Sequence, residues 1–225
     1  MKHIIMTTAI AIAALTACNF SATGSNGSSS AAGVDRTRTE NVAPFDALTI
    51  NIPVDITYET GDPGIVIVAS DKYMDHIIVE QNGETVIIKS DDKKIRSFKD
   101  VKIYVTSDRL SELTVNGAVD MECKRGLKAV RDLAIILNGA ADVDICGVEA
   151  ENVTVRCNGA ADVELEAVAA RTVDVTINGA GDVKLAGAVD KAVLTINGAG
   201  DIDARRLEAA IIRPSVRGVG SIRTE

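Results

Sequence analysis

Apolar and polar residues alternate with a period of two along most of the chain, in short runs bounded by turn residues. The most regular runs flank an Asn-Gly pair that recurs after residue 113. An apolar residue stands immediately before each Asn, another stands two residues earlier, and the residues after each copy alternate in the same way. Successive side chains of a strand point to opposite faces, whereas helical repeats show a period of about 3.6. The pattern therefore predicts β-strands on both sides of every Asn-Gly corner.

The corner motif is Asn-Gly-Ala-x-Asp, and its Asn residues are 22, 20, 20 and 19 residues apart. A degenerate sixth copy at 216–222 has Arg217 and Ser221 in place of Asn and Asp. Matching apolar columns at this spacing favour stacked coils over hairpins, a sandwich or a propeller, whose blades need about 40 residues each. The sequence thus predicts an all-β fold, a single-stranded parallel β-helix with coils of about 20 residues. The predicted structural corner residues are Asn116, Gly117, Asp120, Asn138, Gly139, Asp142, Asn158, Gly159, Asp162, Asn178, Gly179, Asp182, Asn197, Gly198 and Asp201.

A strand-rich but less regular segment, residues 41–112, precedes the repeats. Val54, Ile56 and Tyr58 alternate with polar residues, and Asn82-Gly83 separates two short apolar runs. Because no Pro-, Gly- or Ser-rich linker separates this segment from the repeats, residues 42–225 are predicted to form one head domain. Roughly nine coils would cover it and stack to about 43 Å, at a strand spacing near 4.8 Å.

The first forty residues indicate export. Residues 4–15 are mostly apolar after Lys2, too few to span a bilayer but typical of a secretory signal peptide, here residues 1–17. Leu15-Thr16-Ala17-Cys18 resembles the bacterial lipobox, which predicts lipid attachment at Cys18; an ordinary signal peptide with an incidental Cys is the alternative. Residues 18–41, rich in Ser and Gly, are predicted to be a flexible tether. We therefore expect a cell-envelope lipoprotein, and Asn19 favours the outer membrane.

The order of these motifs resembles a known family. The segment Phe45–Ile50, the strand Pro53–Tyr58 and the repeated corners are similar to the "putative auto-transporter adhesin, head GIN domain" family over about residues 42–222. The resemblance implies a right-handed parallel β-helix in a secreted or lipid-anchored bacterial protein. It carries no catalytic residue onto this chain. The degenerate copy at Val216–Ile222 departs from the family pattern.

Composition and charge then exclude several functions. The chain has 24 Lys and Arg against 32 Asp and Glu, so its net charge of −8 repels phosphate backbones and no nucleic-acid partner is expected. His3 falls in the signal peptide, which leaves His76 alone for any histidine-dependent metal or catalytic site. Aromatic residues make up 3% of the chain and Trp is absent, which leaves little for stacking on sugars.

The stacked Asp residues have two interpretations. Carboxylates about 4.8 Å apart repel one another by roughly 0.9 kcal/mol per pair even in water, so something must offset the repulsion. Backbone N–H groups are the first explanation, and a row of Ca²⁺ ions is the second. One Asp per coil is sparse compared with calcium-binding β-rolls, so we expect no metal and no cofactor. Cys123 and Cys157 fall in inward columns and Cys146 in an outward one, and the sequence leaves open whether a disulfide forms.

These observations predict a lipid-anchored envelope protein, attached to the membrane through Cys18, that binds a protein or glycan without catalysis. The first alternative is a β-helical polysaccharide lyase or hydrolase whose paired acids would be found among Glu122, Asp144 and Glu164. The second is a purely structural spacer. A small basic cluster is expected to be a solvated loop or a docking patch, and it consists of Lys93, Lys94, Arg96 and Lys99.

Overall fold

A computed structural model describes residues 35–91, 95, 98–129 and 131–224 of the chain. The predicted signal peptide, Cys18 and most of the predicted tether lie outside these residues, as do Lys93, Lys94 and Arg96. The structure is 70% strand and 2% helix, which confirms the all-β fold. One short helix, α1, spans Asp71–Met74. The strands are β1 (Asp35–Glu40), β2 (Ala47–Ile50), β3 (Val54–Thr60), β4 (Gly64–Ser70), β5 (Ile77–Asn82), β6 (Thr85–Ser90), β7 (Lys102–Ser107), β8 (Glu112–Val115), β9 (Ala118–Cys123), β10 (Leu127–Lys128), β11 (Asp132–Leu137), β12 (Ala140–Glu149), β13 (Asn152–Cys157), β14 (Ala160–Ile177), β15 (Val183–Ile196), β16 (Ile202–Val216) and β17 (Ile222–Arg223).

Three parallel sheets run along the stack of coils. Sheet 1 contains the strands that follow each corner, namely β3, β9, β12 and the first parts of β14, β15 and β16. Sheet 2 contains the strands that precede each corner, namely β2, β8, β11, β13 and the last parts of β14, β15 and β16. Sheet 3 is narrower and is formed by β10 and the middle parts of the long strands. The parallel β-helix is therefore confirmed, with about six turns.

The register keeps equivalent residues in line from coil to coil. Val143 of β12 pairs with Met121 of β9 on one side and with Val163 of β14 on the other. The side chains that alternate inward are shielded from solvent, and together they form one continuous hydrophobic core. The inward column of sheet 2 is fully buried and consists of Leu113, Ile135, Val155, Val175 and Leu194.

The segment before the repeats departs from the expected nine coils. β2 and β3 enter the parallel sheets, but β4 pairs antiparallel with β7 and β1, and β5 and β6 form an antiparallel hairpin. In the β5–β6 hairpin the physical reason is local turn chemistry, since Gly83 has φ = +63° and allows the tight turn that reverses the chain. β6 and β7 pair in parallel with β2 and β3, and β5, β4 and β1 add antiparallel strands beyond them, so the segment extends sheets 1 and 2 instead of adding regular coils.

The folded head also begins earlier than the sequence indicates. Residues 35–40, assigned above to the tether, form β1 and pair with β4 from Asp35↔Ser70 to Glu40↔Ile65. β1 is an exposed edge strand of charged residues and threonine, so it lacks an apolar signal. Every described strand pairing and the entire buried core lie within the compact unit Gly33–Glu225. This unit therefore contains what an independently folding domain needs.

Candidate functional site

The Asn residues of the corners form a ladder of side-chain hydrogen bonds along the stack. Asn138 Nδ2 donates to Asn116 Oδ1 at 2.9 Å, and Asn158 Nδ2 donates to Asn138 Oδ1 at the same distance. Asn178 and Asn197 continue the series at 2.8 and 2.9 Å. Each Asn side chain thus forms a hydrogen bond to the Asn of the preceding coil, which gives the Asn column a structural role.

One further member of this ladder, Asn51, lies before the recognisable repeats. Asn116 Nδ2 donates to Asn51 Oδ1 at 2.7 Å, so β2 and β3 flank an additional corner. A signal for it exists, because Leu48–Asn51 and Leu194–Asn197 have the same sequence, Leu-Thr-Ile-Asn. Asp55 also follows Asn51 by four residues, as Asp120 follows Asn116. Ile52 and Pro53 replace the usual Gly-Ala, so this copy does not match the corner motif in sequence.

The corner glycines are required for a reason other than backbone dihedral freedom. None of Gly117, Gly139, Gly159, Gly179, Gly198 and Gly218 is among the glycines with positive φ. A Cβ added at Gly159 would instead overlap the carbonyl oxygen of Gly139 in the preceding coil. Stacked backbones therefore approach so closely at this corner that no side chain fits.

The Asp column divides into two groups. Asp120, Asp142 and Asp162 lie within strands and pair in register, so their carboxylates point outward one above another. In the last two coils, the backbone N–H of Asp182 donates to Asp162 Oδ1 at 3.0 Å and that of Asp201 donates to Asp182 Oδ1 at 2.9 Å. Backbone N–H groups therefore offset repulsion at the carboxylates of Asp162 and Asp182, as the first interpretation requires.

Electrostatic conditions differ accordingly along the column. Partial burial, followed by the charges of Asp55 and Asp144, raises the pKa of Asp120 above its ordinary value. At the other end, the Ser221 hydroxyl at 2.8 Å and its backbone N–H at 2.7 Å both donate to Asp201 Oδ1 and lower the pKa of that carboxyl. The degenerate sixth copy thus caps the column with a hydroxyl.

A broad acidic face covers the outer side of sheet 1. Asp144 stands in register between Glu122 and Glu164, and its pKa is raised by partial burial and then by the nearby charge of Asp142. We call this surface the acidic face, and its carboxylates are Asp55, Asp120, Glu122, Asp142, Asp144, Asp162, Glu164 and Glu166.

Cations border the acidic face and neutralise part of it. Lys124 Nζ lies 2.7 Å from Glu122, and Lys184 Nζ lies 3.2 Å from Glu164. Arg206 bridges two carboxylates, with 3.3 Å to Glu164 and 3.1 Å to Glu166. The best-formed depression between these side chains has a volume of about 160 Å³ and is open to solvent. The face is therefore a shallow, patterned surface rather than a deep pocket.

The cysteine and histidine residues are not among the carboxylates and cations of the acidic face. Cys123 and Cys157 are buried, which raises the pKa of each thiol to about 11, and Cys146 is exposed; all three thiols are free. His76 Nδ1 lies 3.0 Å from Asp91 on the surface. Within the described residues, no group of three or more His, Cys, Asp or Glu side chains is arranged to hold a metal ion. The same part of the chain contains no helix with the length and apolarity to cross a membrane.

Several solved structures share this fold. A protein from Bacteroides fragilis NCTC 9343, described as a putative adhesin, is 22% identical with a TM-score of 0.66 and covers 84% of this chain and 96% of its own. A putative adhesin from Parabacteroides distasonis ATCC 8503 is 18% identical with a TM-score of 0.75, covering 84% of this chain and 82% of its own. A putative lipid binding protein from the same strain is 19% identical with a TM-score of 0.69, covering 85% and 96%.

No curated protein matches the chain in sequence. At the level of families, residues 44–225 match the model described as "Putative auto-transporter adhesin, head GIN domain". This match covers nearly the whole head, and the chain belongs to that family.

Proposed function

We propose that the protein is a lipid-anchored adhesin-like binding protein of the bacterial cell envelope, and that it holds its partner on the acidic face without catalysis. The observation that carries the proposal is the continuous outer surface of sheet 1, where equivalent carboxylates repeat from coil to coil above a rigid core. Membership of an adhesin-like family supports an envelope location. The predicted lipobox at Cys18 supports lipid attachment, and Asn19 after it supports the outer membrane as the location.

A repeated flat surface suits an extended partner. Adjacent coils present their carboxylates about 4.8 Å apart, so a protein or glycan lying along the stack meets the same group several times. Tyr104, 42% exposed, is in register with Thr57 of the adjacent strand, next to Glu122 at one edge of the face, and adds an aromatic contact. Affinity would then come from many modest contacts instead of one enclosed pocket.

The binding test uses the head unit, residues 33–225, on arrays of glycans and of purified surface proteins. The double variant Asp144→Asn/Glu164→Gln should lose at least about tenfold in affinity for any partner held by the acidic face. The matched control is Asp190→Asn, which removes an exposed carboxylate where sheets 2 and 3 meet. Equal affinity of the double variant and the control would remove the acidic face from the proposal, and a head that binds nothing would favour the structural spacer.

The anchor requires its own test. Cys18→Ser in the full chain should abolish acyl-chain incorporation and move the mature head out of the detergent phase. Cys146→Ser is the control, because Cys146 is exposed and lies far along the chain from the lipobox. Unchanged acylation of Cys18→Ser would show that the lipobox prediction is wrong.

One observation favours a second candidate function, a polysaccharide lyase or hydrolase. Asp144 stands in register between Glu122 and Glu164, its pKa is raised, and glycoside hydrolysis uses a pair of carboxyl groups with different pKa values. Two facts oppose this function: Lys184 and Arg206 form ion pairs with the Glu164 carboxylate, and the surface is shallow. Incubation with uronate and hexose polysaccharides would decide: reducing ends or unsaturated products that disappear in Asp144→Asn/Glu164→Gln would replace binding with catalysis.

A further inference from the structure

The last coil leaves one end of the hydrophobic core open. Along residues 211–216, β16 pairs with β15 on one side, and no described strand pairs with it on the other. Ile212, Pro214 and Val216 continue the inward column of sheet 2 at this end. Val216 is 45% exposed, whereas its partner in the preceding coil, Ile196, is fully buried. The apolar columns therefore meet solvent here.

Exposed apolar side chains are concentrated on this coil. Of the four large hydrophobic residues that are well exposed in the described part of the chain, three lie here and the fourth is Tyr104. Ile211 is 49% exposed and Val219 is 76% exposed. A clustered apolar patch on a soluble domain marks a contact surface more often than scattered exposure does. We call Ile211, Ile212, Pro214, Val216 and Val219 the apolar end.

Arginines surround the apolar end. Arg213 and Arg217 are exposed and form no ion pair with any described residue. Arg217 stands where the other copies have Asn, so the last corner has an exposed cation in place of a ladder amide. The rest of the surface is dominated by carboxylates, since the chain carries a net charge of −8. An occupant of this end must therefore be both apolar and anionic.

A second copy of the chain does not meet these requirements. Pairing two identical ends would bring arginines against arginines. The backbone also opposes strand addition. The N–H of Arg217 donates to Ile196 O at 2.8 Å, and alternate residues of a strand point their N–H groups to opposite sides. The backbone nitrogen of residue 214 therefore faces the open edge, and because this residue is proline it has no N–H to donate to an added strand.

We infer that the apolar end docks on the surface of an anionic lipid bilayer. Ile211, Val216 and Val219 would enter the boundary between head groups and acyl chains, where apolar side chains are stabilised. Arg213 and Arg217 would bind lipid phosphates, for which the planar guanidinium is well suited. This inference needs neither the acidic face nor the lipid at Cys18, so it stands apart from the proposed function.

The experiment measures sedimentation of the head unit, residues 33–225, with vesicles. One set is pure phosphatidylcholine, and the other contains about one third phosphatidylglycerol. We expect binding to the second set only, weakening as salt is raised. Arg213→Gln/Arg217→Gln should reduce partitioning about 25-fold, or about fivefold per arginine, because each basic residue near an anionic surface contributes about 1 kcal/mol. The matched control, Arg171→Gln, removes an exposed arginine from a different part of the stack and should change nothing.

A second variant tests the apolar contribution. Val219→Ser, at the most exposed apolar position, should retain the fold and reduce partitioning about fivefold. Three results would overturn the inference: no binding to anionic vesicles, equal losses in Arg213→Gln/Arg217→Gln and Arg171→Gln, or equally tight binding of soluble poly-glutamate at the same end. A dimer in analytical ultracentrifugation that Arg217→Gln dissociates would also overturn it, in favour of a second copy. Because the head unit lacks Cys18, none of these results depends on the anchor.

Discussion

Two kinds of coil occur in the same solenoid, and they differ in whether the residue before the Asp carries a side chain. In the Ala-type coils, residues 116–177, the residue before each Asp is Val119, Ala141 or Ala161, and the strand of sheet 1 begins before the Asp. In the Gly-type coils that follow, Gly181 and Gly200 occupy that position, and the strand begins only after the Asp. The same motif therefore has two backbone conformations.

The difference decides what each carboxylate does. In an Ala-type coil the Asp is a strand residue, so its N–H serves the sheet and its carboxylate projects outward. In a Gly-type coil the backbone turns at the glycine, with φ of 148° at Gly181 and 150° at Gly200, and the Asp N–H reaches the carboxylate of the preceding coil. The presence of a side chain before an Asp thus decides whether the N–H of that Asp pairs within the sheet or donates to the carboxylate of the preceding coil.

The largest expected effect comes from adding a methyl group to a Gly-type coil. In Gly181→Ala the new Cβ would overlap the backbone carbonyl of Ala161, and the residue would be held at a φ that L-residues disfavour. We expect a loss of about 3 kcal/mol or more in the free energy of unfolding, measured by urea denaturation of the head unit.

The reverse exchange should cost far less. Ala161→Gly removes a buried methyl group from an Ala-type coil and should reduce the free energy of unfolding by about 1 kcal/mol. If both variants lost equal stability, the distinction between the two coil types would have no energetic basis.

The next largest effect is a difference in stability between alanine variants of two neighbouring Asp residues, Asp162 and Asp142. Asp162 accepts the N–H of Asp182, so Asp162→Ala leaves that donor without its partner and should destabilise the head by about 1–2 kcal/mol. Asp142 faces only other carboxylates in its column, so Asp142→Ala should be neutral or stabilising. Thermal unfolding monitored by circular dichroism compares the two, and a greater loss in Asp142→Ala would contradict the assignment.

Acidification should reduce the opposite effects that Asp120 and Asp201, at the two ends of the Asp column, have on stability. The folded-state pKa of Asp120 is raised, so its ionisation destabilises the fold above that pKa, and the penalty disappears below the unfolded value near 4. The folded-state pKa of Asp201 is lowered, so its stabilising effect is present above the unfolded value and is lost as pH falls through the folded pKa. Asp120→Asn should therefore stabilise the head at pH 7 and Asp201→Asn destabilise it, with both differences shrinking below pH 4. Unfolding curves at pH 7 and pH 3.5 test this.

Calcium should have the smallest effect. A site filled at 100 times its Kd would add about 2.7 kcal/mol to the free energy of unfolding. Backbone N–H groups already donate to the carboxylates of Asp162 and Asp182. We therefore expect the Tm of the head to stay unchanged between excess EDTA and millimolar calcium. A rise of several degrees with calcium, abolished in Asp142→Ala, would restore the metal interpretation.

The repeat region was predictable because each column combines burial and periodicity. Val143 and Ile145, for example, are apolar at alternate positions and recur one coil away as Val163 and Leu165. The segment before it was not, since strands such as β4 look the same in sequence whether they pair parallel or antiparallel. What decides the pairing is the turn at Gly83 and contacts between distant residues such as Val66 and Tyr104.

At the corners, the sequence indicated the residue types but not the physical reason. Asn-Gly commonly marks a tight turn with positive φ, and that explanation is wrong here because the backbone of Gly159 lies against Gly139. Only the stacking distance between coils shows why a side chain is excluded. Likewise, no single copy shows whether its Asp binds a neighbouring N–H, since that depends on the residue before the next Asp.

Differences in coil length lie away from the Asn corner, which remains aligned in every coil of the repeat region. Register shifts lie between Leu165 and Val168 and between Lys184 and Ala186, on the path from sheet 1 to sheet 3. The longer first coil has a further shift between Lys128 and Asp132, on the path from sheet 3 to sheet 2. Ala167, with φ of 49°, lies between Leu165 and Val168. Evolution can therefore lengthen or shorten a coil there without disturbing its neighbours, and a protein engineer seeking a site for a grafted recognition loop should choose the turn around Ala167.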